Sequence, residues 1–204
     1  MKLSYVIGVC NEHLELSNLL IFLKEVIDKN HEVVVVVDSN KVTKQVEEVL
    51  ENHIDWVKRF DKPFEFDFSK HKNFFANVTK GEYIFNLDAD EIPQEFLINM
   101  IENIVNKPDA PDLIAVPRIN ICPGYTQRFL KENKFSCNEL GWINWPDYQG
   151  RVYKRHLKWS GKVHEKIQGA KKSIGLQADP KLALWHIKST TKQNKQNVSY
   201  STLM

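Results

Sequence analysis

The stretch Gly81-Glu82-Tyr83-Ile84-Phe85-Asn86-Leu87-Asp88-Ala89-Asp90-Glu91-Ile92-Pro93 runs from a turn residue through a short apolar segment into a burst of carboxylates. Apolar and β-favouring residues bounded by Gly and Pro predict a buried strand. Side chains alternate along extended backbone, so Asp88 and Asp90 face one way and Ala89 another. Two carboxylates on one side of a strand end repel each other unless a cation sits between them. The pattern points to a hard divalent ion, Mn²⁺ or Mg²⁺, with coordination positions left for a phosphate. The plain alternative is a solvated acidic turn before a helix that Pro93 starts, since acids also suit a helix N-terminus.

Two further polar clusters stand at the ends of apolar runs. Leu3 to Val9 reads as a central strand and stops at Cys10-Asn11-Glu12-His13. Glu32 to Val37 is almost pure Val, the pattern of a parallel strand buried on both faces, and stops at Asp38-Ser39-Asn40. In open parallel α/β sheets, ligands bind beyond the carboxyl ends of the strands. Three such ends carrying Glu12, Asp38 and Asp88 with Asp90 are hard to explain as separate solvated turns. Asp38 is placed to accept hydrogen bonds from a base or a sugar, or to cap the next helix. Lys72 suits a diphosphate, or is a plain exposed lysine.

Helices must connect these strands. Leu16, Leu19, Leu20, Leu23, Val26 and Ile27 share one helical face, and Val42, Val46, Val49 and Leu50 share another. Ile54 to Val57 is expected as a third strand. Strand-helix-strand-helix-strand order predicts a right-handed, doubly wound α/β unit with a mostly parallel sheet. An aromatic loop, Phe60 to Phe68, precedes a helix capped by Ser69 and running through Val78, burying Phe74, Phe75 and Val78. Ile92 to Val105 is expected as a helix, closed by the boundary Lys107-Pro108-Asp109-Ala110-Pro111, with a strand from Leu113 to Val116. From Arg118 helical periodicity disappears and four of the five Trp cluster. This half is expected to be irregular, with strands at Arg151–Lys154 and Ala183–Ile187, a short segment from Val163 to Ile167 and a turn at Ser160-Gly161. Trp142, Trp145, Tyr148 and Trp159 form either an apolar platform for a sugar face or core filling.

With 204 residues, 42% hydrophobic and 26% charged, the chain suits one soluble globular domain. A formal net charge of +2 gives no steer toward nucleic acid or acidic lipid. The three cysteines, Cys10, Cys122 and Cys137, form no C-x-x-C pair, which argues against a disulfide framework or a cysteine zinc site and fits a reduced cytoplasmic setting. No signal peptide and no transmembrane stretch is recognisable, which leaves peripheral membrane contact open.

The strand ending in Asn11-Glu12, the Val strand ending in Asp38, the segment Phe68-Ser69-Lys70-His71-Lys72-Asn73, the strand ending Asp88-Ala89-Asp90-Glu91 and Trp159-Ser160-Gly161-Lys162-Val163-His164-Glu165 together resemble a family 2 glycosyltransferase of GT-A fold. The similarity is closest to the branch that adds sugars to lipopolysaccharide cores and related glycans, and it covers nearly the whole chain in order. Members are often longer, so the chain reads as a minimal or truncated catalytic domain. The resemblance implies one GT-A domain over 1–204: a nucleotide-sugar-binding half at 1–107, an irregular acceptor-side half at 108–188 and a polar tail at 189–204. It implies that Glu12 and Asp38 line the nucleotide pocket, with Lys72 and Asn73 near the diphosphate. Asp88 would contact the ribose or the metal, Asp90 would be the main metal ligand, and His186 would approach the metal or diphosphate. Glu165 would be the general base, with Asp147 as the rival carboxylate. The implied reaction is inverting, metal-dependent sugar transfer from a nucleotide-diphosphate sugar to a glycan or glycolipid hydroxyl. Two other readings stay open. A nucleotidyltransferase of related fold also uses paired carboxylates, but the segment after the first strand, Gly8-Val9-Cys10-Asn11-Glu12-His13, lacks the Gly-rich basic loop of such enzymes. A non-catalytic carbohydrate-binding domain would have no reason to keep Asp90, Glu165 and His186 together.

Overall fold

A computed structural model describes residues 2–194. The first half runs β1 (Leu3–Val9), α1 (His13–Val26), β2 (Glu32–Val37), α2 (Lys44–Glu51), β3 (Val57–Asp61), α3 (Phe68–Val78), β4 (Tyr83–Asp88), β5 (Glu91–Ile92) and α4 (Glu95–Val105). The second half adds β6 (Leu113–Val116), β7 (Arg118–Ile121), α5 (Gln127–Asn133), β8 (Gln149–Lys154), β9 (Lys158–Ser160), β10 (Lys166–Gln168), β11 (Ser173–Gly175) and β12 (Leu184–Ile187).

Seven strands form the main sheet in the order β11-β6-β8-β4-β1-β2-β3. The pairs β4–β1, β1–β2, β2–β3 and β11–β6 are parallel, while β8 runs antiparallel to both β4 and β6. Strand β8 therefore stitches the second half into the sheet of the first. A second sheet, β5-β12-β7, lies beside the carboxylate turn, and β9 pairs with β10 as a hairpin.

Alternation along the strands divides the core into two faces. Tyr5, Ile7, Val33, Val35, Phe85 and Leu87 pack with Leu16, Leu19, Leu20 and Leu23 of α1 and with Leu97 and Ile101 of α4. Val6, Val34, Val36 and Ile84 face the other way, onto Phe75 of α3, Tyr153 and Trp159. All six residues of β2 are buried, as its Val run predicts. Truncating a fully buried Leu such as Leu20 to Ala would cost about 2–5 kcal/mol. Asp88 shares the α3 face with Ile84 and Asn86, so the strand's own periodicity aims its carboxylate at the space above α3.

Several expected boundaries move. Residues 54–56 form a turn, and β3 starts only at Val57, where pairing with Val33 begins. The α3 cap is Asp67, which accepts from the Lys70 amide at 2.9 Å; Ser69 lies inside the first turn and donates its hydroxyl to the same Asp67 oxygen. Of the three α3 residues expected to be buried, Phe75 is, while Phe74 and Val78 are only partly so. Helix α4 begins at Glu95, because Glu91 and Ile92 are held as a strand by pairing with His186 and Trp185. Of the expected Val163 to Ile167 segment only Lys166 and Ile167 are strand, and that strand runs on to Gln168. The second half contains a helix, α5, capped by the Thr126 hydroxyl accepting from the Phe129 amide. Of the polar tail, 189–194 is described, with a helical turn over 190–194, and 195–204 lies outside the described residues.

Candidate active site

The carboxyl ends of β1, β2 and β4 open into one cavity of about 940 Å³, walled on its far side by the second half. Glu12, Asp38, Lys72, Asp88, Asp90, Asp147, Glu165 and His186 all line it. Asn73 does not: its amide donates to the Trp159 carbonyl and accepts from the Trp159 amide, both at 2.9 Å, which ties α3 to β9. That clamp takes the amide oxygen and one of its two N–H donors, and Asn73 stands outside the cavity that its expected binding role needs.

Two of the expected donor-side acids brace loops. Glu12 accepts from the Cys10 and Asn11 amides at 3.1 and 3.0 Å, closing the turn after β1. Asp38, 7% exposed, accepts from the amides of Asn40 and Phe64 through one oxygen, at 3.1 and 3.0 Å, and so pins the aromatic loop against the cavity.

At the acidic turn Asp88 and Asp90 diverge. Asp88 accepts from Arg151 at 2.7 Å, and its side chain, walled by protein, is still 46% exposed to the cavity. Burial would raise its pKa, but Arg151 and then Lys72 overcome this and hold it at about 2. Asp90 lies 3.0 Å from Nζ of Lys192 and 3.5 Å from Nε2 of His186. Burial again opposes ionisation, and His186, Lys192 and Lys188 outweigh it, keeping Asp90 well below the usual carboxylate range. Among the described residues no three His, Cys, Asp or Glu side chains converge on one point. Asp90 and His186 meet there, and Asp88 is turned away by Arg151. The chemistry of this pair still suits a hard cation: one carboxylate oxygen and one imidazole nitrogen, with an ammonium already resting against the carboxylate. Mg²⁺-type ions commonly take only one or two protein ligands, with substrate phosphates and water completing the shell.

Behind the turn lies a buried ion-pair network that the motifs did not reveal. Arg151, 3% exposed, bridges Asp88 and the fully buried Glu91. Glu91 also accepts from Arg118 at 3.0 Å, and Arg118 reaches Asp147 through Nε at 3.0 Å and Nη2 at 2.7 Å. Asp147 further accepts from Asn120 at 2.9 Å and Gln149 at 2.8 Å. Three carboxylates against two guanidiniums leave this network one negative charge in excess. Desolvation would raise the Asp147 pKa, but Arg118 and the amides hold it below its ordinary value. The Arg118-Ile119-Asn120-Ile121 alternation of polar and apolar residues is the sequence signal that would have flagged one strand of this cluster.

On the opposite wall, Glu165 pairs with Lys72 at 2.5 Å, both side chains 14% exposed. Lys72 also sits 4.4 Å above the Trp159 ring. The four aromatics do not form one surface. Trp159 packs edge-on against Tyr153 in the core, Trp142 contacts Trp145 and Trp185, and Tyr148 donates its hydroxyl to the Leu176 carbonyl. Of these four, Tyr148 and Trp159 line the cavity.

Several solved structures share this architecture. Residues 1–349 of S. aureus TarS superpose with a TM-score of 0.64 at 16% identity, covering 92% of this chain and 60% of that one. A mannosyltransferase, PcManGT from Pyrobaculum calidifontis, solved with GDP-Man and Mn²⁺, gives 0.55 at 15% identity, covering 91% and 56%. Glucosyl-3-phosphoglycerate synthase from Mycobacterium tuberculosis, solved with Mn²⁺, UDP and phosphoglyceric acid, gives 0.50 at 14%, covering 76% and 56%. These likenesses establish the GT-A fold, and the chain spans less than two thirds of each of the three. Comparison with curated protein sequences returns no match. The sequence pattern described as glycosyl transferase family 2 matches residues 4–169, most of the chain. With that match laid over the GT-A sheet and its acidic cavity, the chain belongs to glycosyl transferase family 2.

Proposed function

We propose that the chain transfers a sugar from a nucleoside-diphosphate sugar to a hydroxyl of a glycan or glycolipid, with inversion. The observation that carries this is the single cavity shared by Asp38, Asp88, Asp90, Glu165 and His186, drawn from both halves of the chain. Residues 1–107 supply the donor wall and 108–188 the acceptor wall. Asp38 and the aromatic loop it pins would hold the nucleotide base, and Asp88 would face the ribose or the donor sugar. Asp90 and His186 would hold Mn²⁺ or Mg²⁺. When bound, that ion supplies neutralising charge for the leaving diphosphate.

Glu165 would take the acceptor proton as the acceptor oxygen bonds to the anomeric carbon from the side opposite the diphosphate. The bond from that carbon to the diphosphate oxygen breaks, and the nucleoside diphosphate departs. Glu165 suits the role better than Asp147. Asp147 already accepts from Arg118, Asn120 and Gln149, which lowers its basicity, whereas Glu165 is held by Lys72 alone through one oxygen. Lys72 would also lend positive charge to that wall.

The donors named with the structural neighbours give the probes: UDP-GlcNAc, with which TarS was solved, and GDP-Man. Thermal shift with each, with and without Mn²⁺, is compared between wild type and Asp90→Ala. A Mn²⁺-dependent stabilisation by one nucleotide sugar, lost in a folded Asp90→Ala, supports the reading. If these and other nucleotide sugars leave the wild type unmoved, transfer from such donors is refuted and a carbohydrate-binding role is favoured.

A further inference from the structure

His186 and Asn120 face each other across the parallel pair β12–β7, and Asn120 bridges to the opposite wall. Its amide nitrogen donates to Asp147 Oδ2 at 2.9 Å and to the Ile143 carbonyl at 3.3 Å. Both partners can only accept, since Asp147 is held ionised by Arg118. The amide is therefore fixed in one orientation, with its oxygen toward His186 Nδ1 at 2.8 Å. An oxygen that can only accept demands a proton on Nδ1. Nε2 faces Asp90 Oδ2 at 3.5 Å, an oxygen that also only accepts but is already held by Lys192 at 3.0 Å, so in the neutral ring the 2.8 Å contact to Asn120 keeps the proton on Nδ1 and leaves Nε2 as a lone pair.

We propose that Asn120 is a positioning residue that sets the tautomer of His186, presenting Nε2 as a cation ligand beside Asp90. The choice is dictated from the acceptor wall: Arg118 keeps Asp147 ionised, Asp147 orients Asn120, and the Asn120 oxygen accepts from Nδ1–H and so holds the ring proton there. His186 is 7% exposed, so water does not compete for that decision. A free imidazole prefers its proton on Nε2, the form that cannot bind a metal there. Asn120 thus selects against the default, in the way that outer partners of metal-bound histidines fix ring orientation and proton position. The inference rests on the reading of Asp90 and His186 as the cation pair, and its test separates the two.

The test is nitrogen NMR of the His186 ring in metal-free protein, at a pH where the ring is neutral, alongside calorimetric Mn²⁺ binding. The wild type is expected as the Nδ1–H tautomer. Asn120→Asp keeps an acceptor for Nδ1 and should keep that tautomer, although it sets a new carboxylate against Asp147. Asn120→Leu removes the acceptor and should shift the ring toward Nε2–H, with Mn²⁺ affinity falling about 10–100-fold. A merely structural Asn120 would make the Asp variant at least as harmful as the Leu variant and leave the tautomer unselected. A wild-type ring in the Nε2–H form overturns the inference whatever the variants do. So does Asn120→Leu with unchanged tautomer or unchanged affinity. If the wild type and His186→Ala both fail to bind Mn²⁺, the cation reading falls, and with it this role for Asn120. If the wild type binds and His186→Ala does not, the cation reading stands and the Asn120 variants decide this one.

Discussion

Replacing Arg151 with Met takes away the guanidinium that separates Asp88 from Glu91. Arg151 is 3% exposed and Glu91 fully buried, so water cannot take the cation's place at Glu91. Breaking a buried pair by removing one partner costs about 3–5 kcal/mol, because a charge is left uncompensated. Two features push the cost to the low end of that range: Glu91 keeps Arg118 at 3.0 Å, and Asp88 opens onto cavity water. The expected loss is about 3 kcal/mol, or roughly 6–12 °C in Tm for a chain of this size. Urea unfolding, with the midpoint and slope fitted separately, measures it. Adding Glu91→Gln should recover part of the loss by removing the stranded charge. The pH dependence carries a second signature. The Asp88 carboxyl is held from 3.8 down to about 2, against the opposing effect of burial, by Arg151 and Lys72. A depressed carboxylate stabilises fully above its unfolded pKa, and that contribution is lost as pH falls through the folded value. The acid limb between those two pH values should therefore flatten in Arg151→Met. A variant within about 1 kcal/mol of wild type, with an unchanged acid limb, would refute the idea that this network is held by charge compensation.

Glu165→Gln should retain the hydrogen bond to Lys72 and donor binding while lowering the transfer rate by roughly 10²–10⁴-fold, read in single-turnover assays. Lys192→Ala should raise Mn²⁺ affinity in the absence of nucleotide, because the ammonium 3.0 Å from Asp90 competes for the same carboxylate. The pair is partly exposed and worth about 1 kcal/mol at most, so the gain is about fivefold by calorimetry, and no gain sinks the competition. Gly81→Ala should destabilise by roughly 1–3 kcal/mol in urea, since its Cβ would lie 2.6 Å from Ser4 Oγ and 2.9 Å from the Leu3 carbonyl carbon. An Ala variant as stable as wild type would mean that β1 yields easily at this point.

The sequence by itself determined the layered sheet and the place of its chemistry. The Val run of β2, the leucine face of α1 and the carboxylates closing β4 are local patterns, and local dihedral periodicity decides which way each side chain points. It also brought eight of its nine named site residues to one cavity. Asn73 alone of the nine stands outside that cavity, because Trp159, 86 residues away, engages both its amide nitrogen and its amide oxygen. Tertiary structure alone decided the partners. Arg151 reaches Asp88 across 63 residues, Lys72 meets Glu165 across 93, and Lys192 meets Asp90 across 102. The first follows from β8 lying beside β4, the second from α3 packing on β9, and the third from β12 joining β5 to β7, arrangements that no local period encodes. A carboxylate's position was readable from its own strand, but whether an arginine, a lysine or a histidine compensates it depended on which distant strand the sheet set beside it.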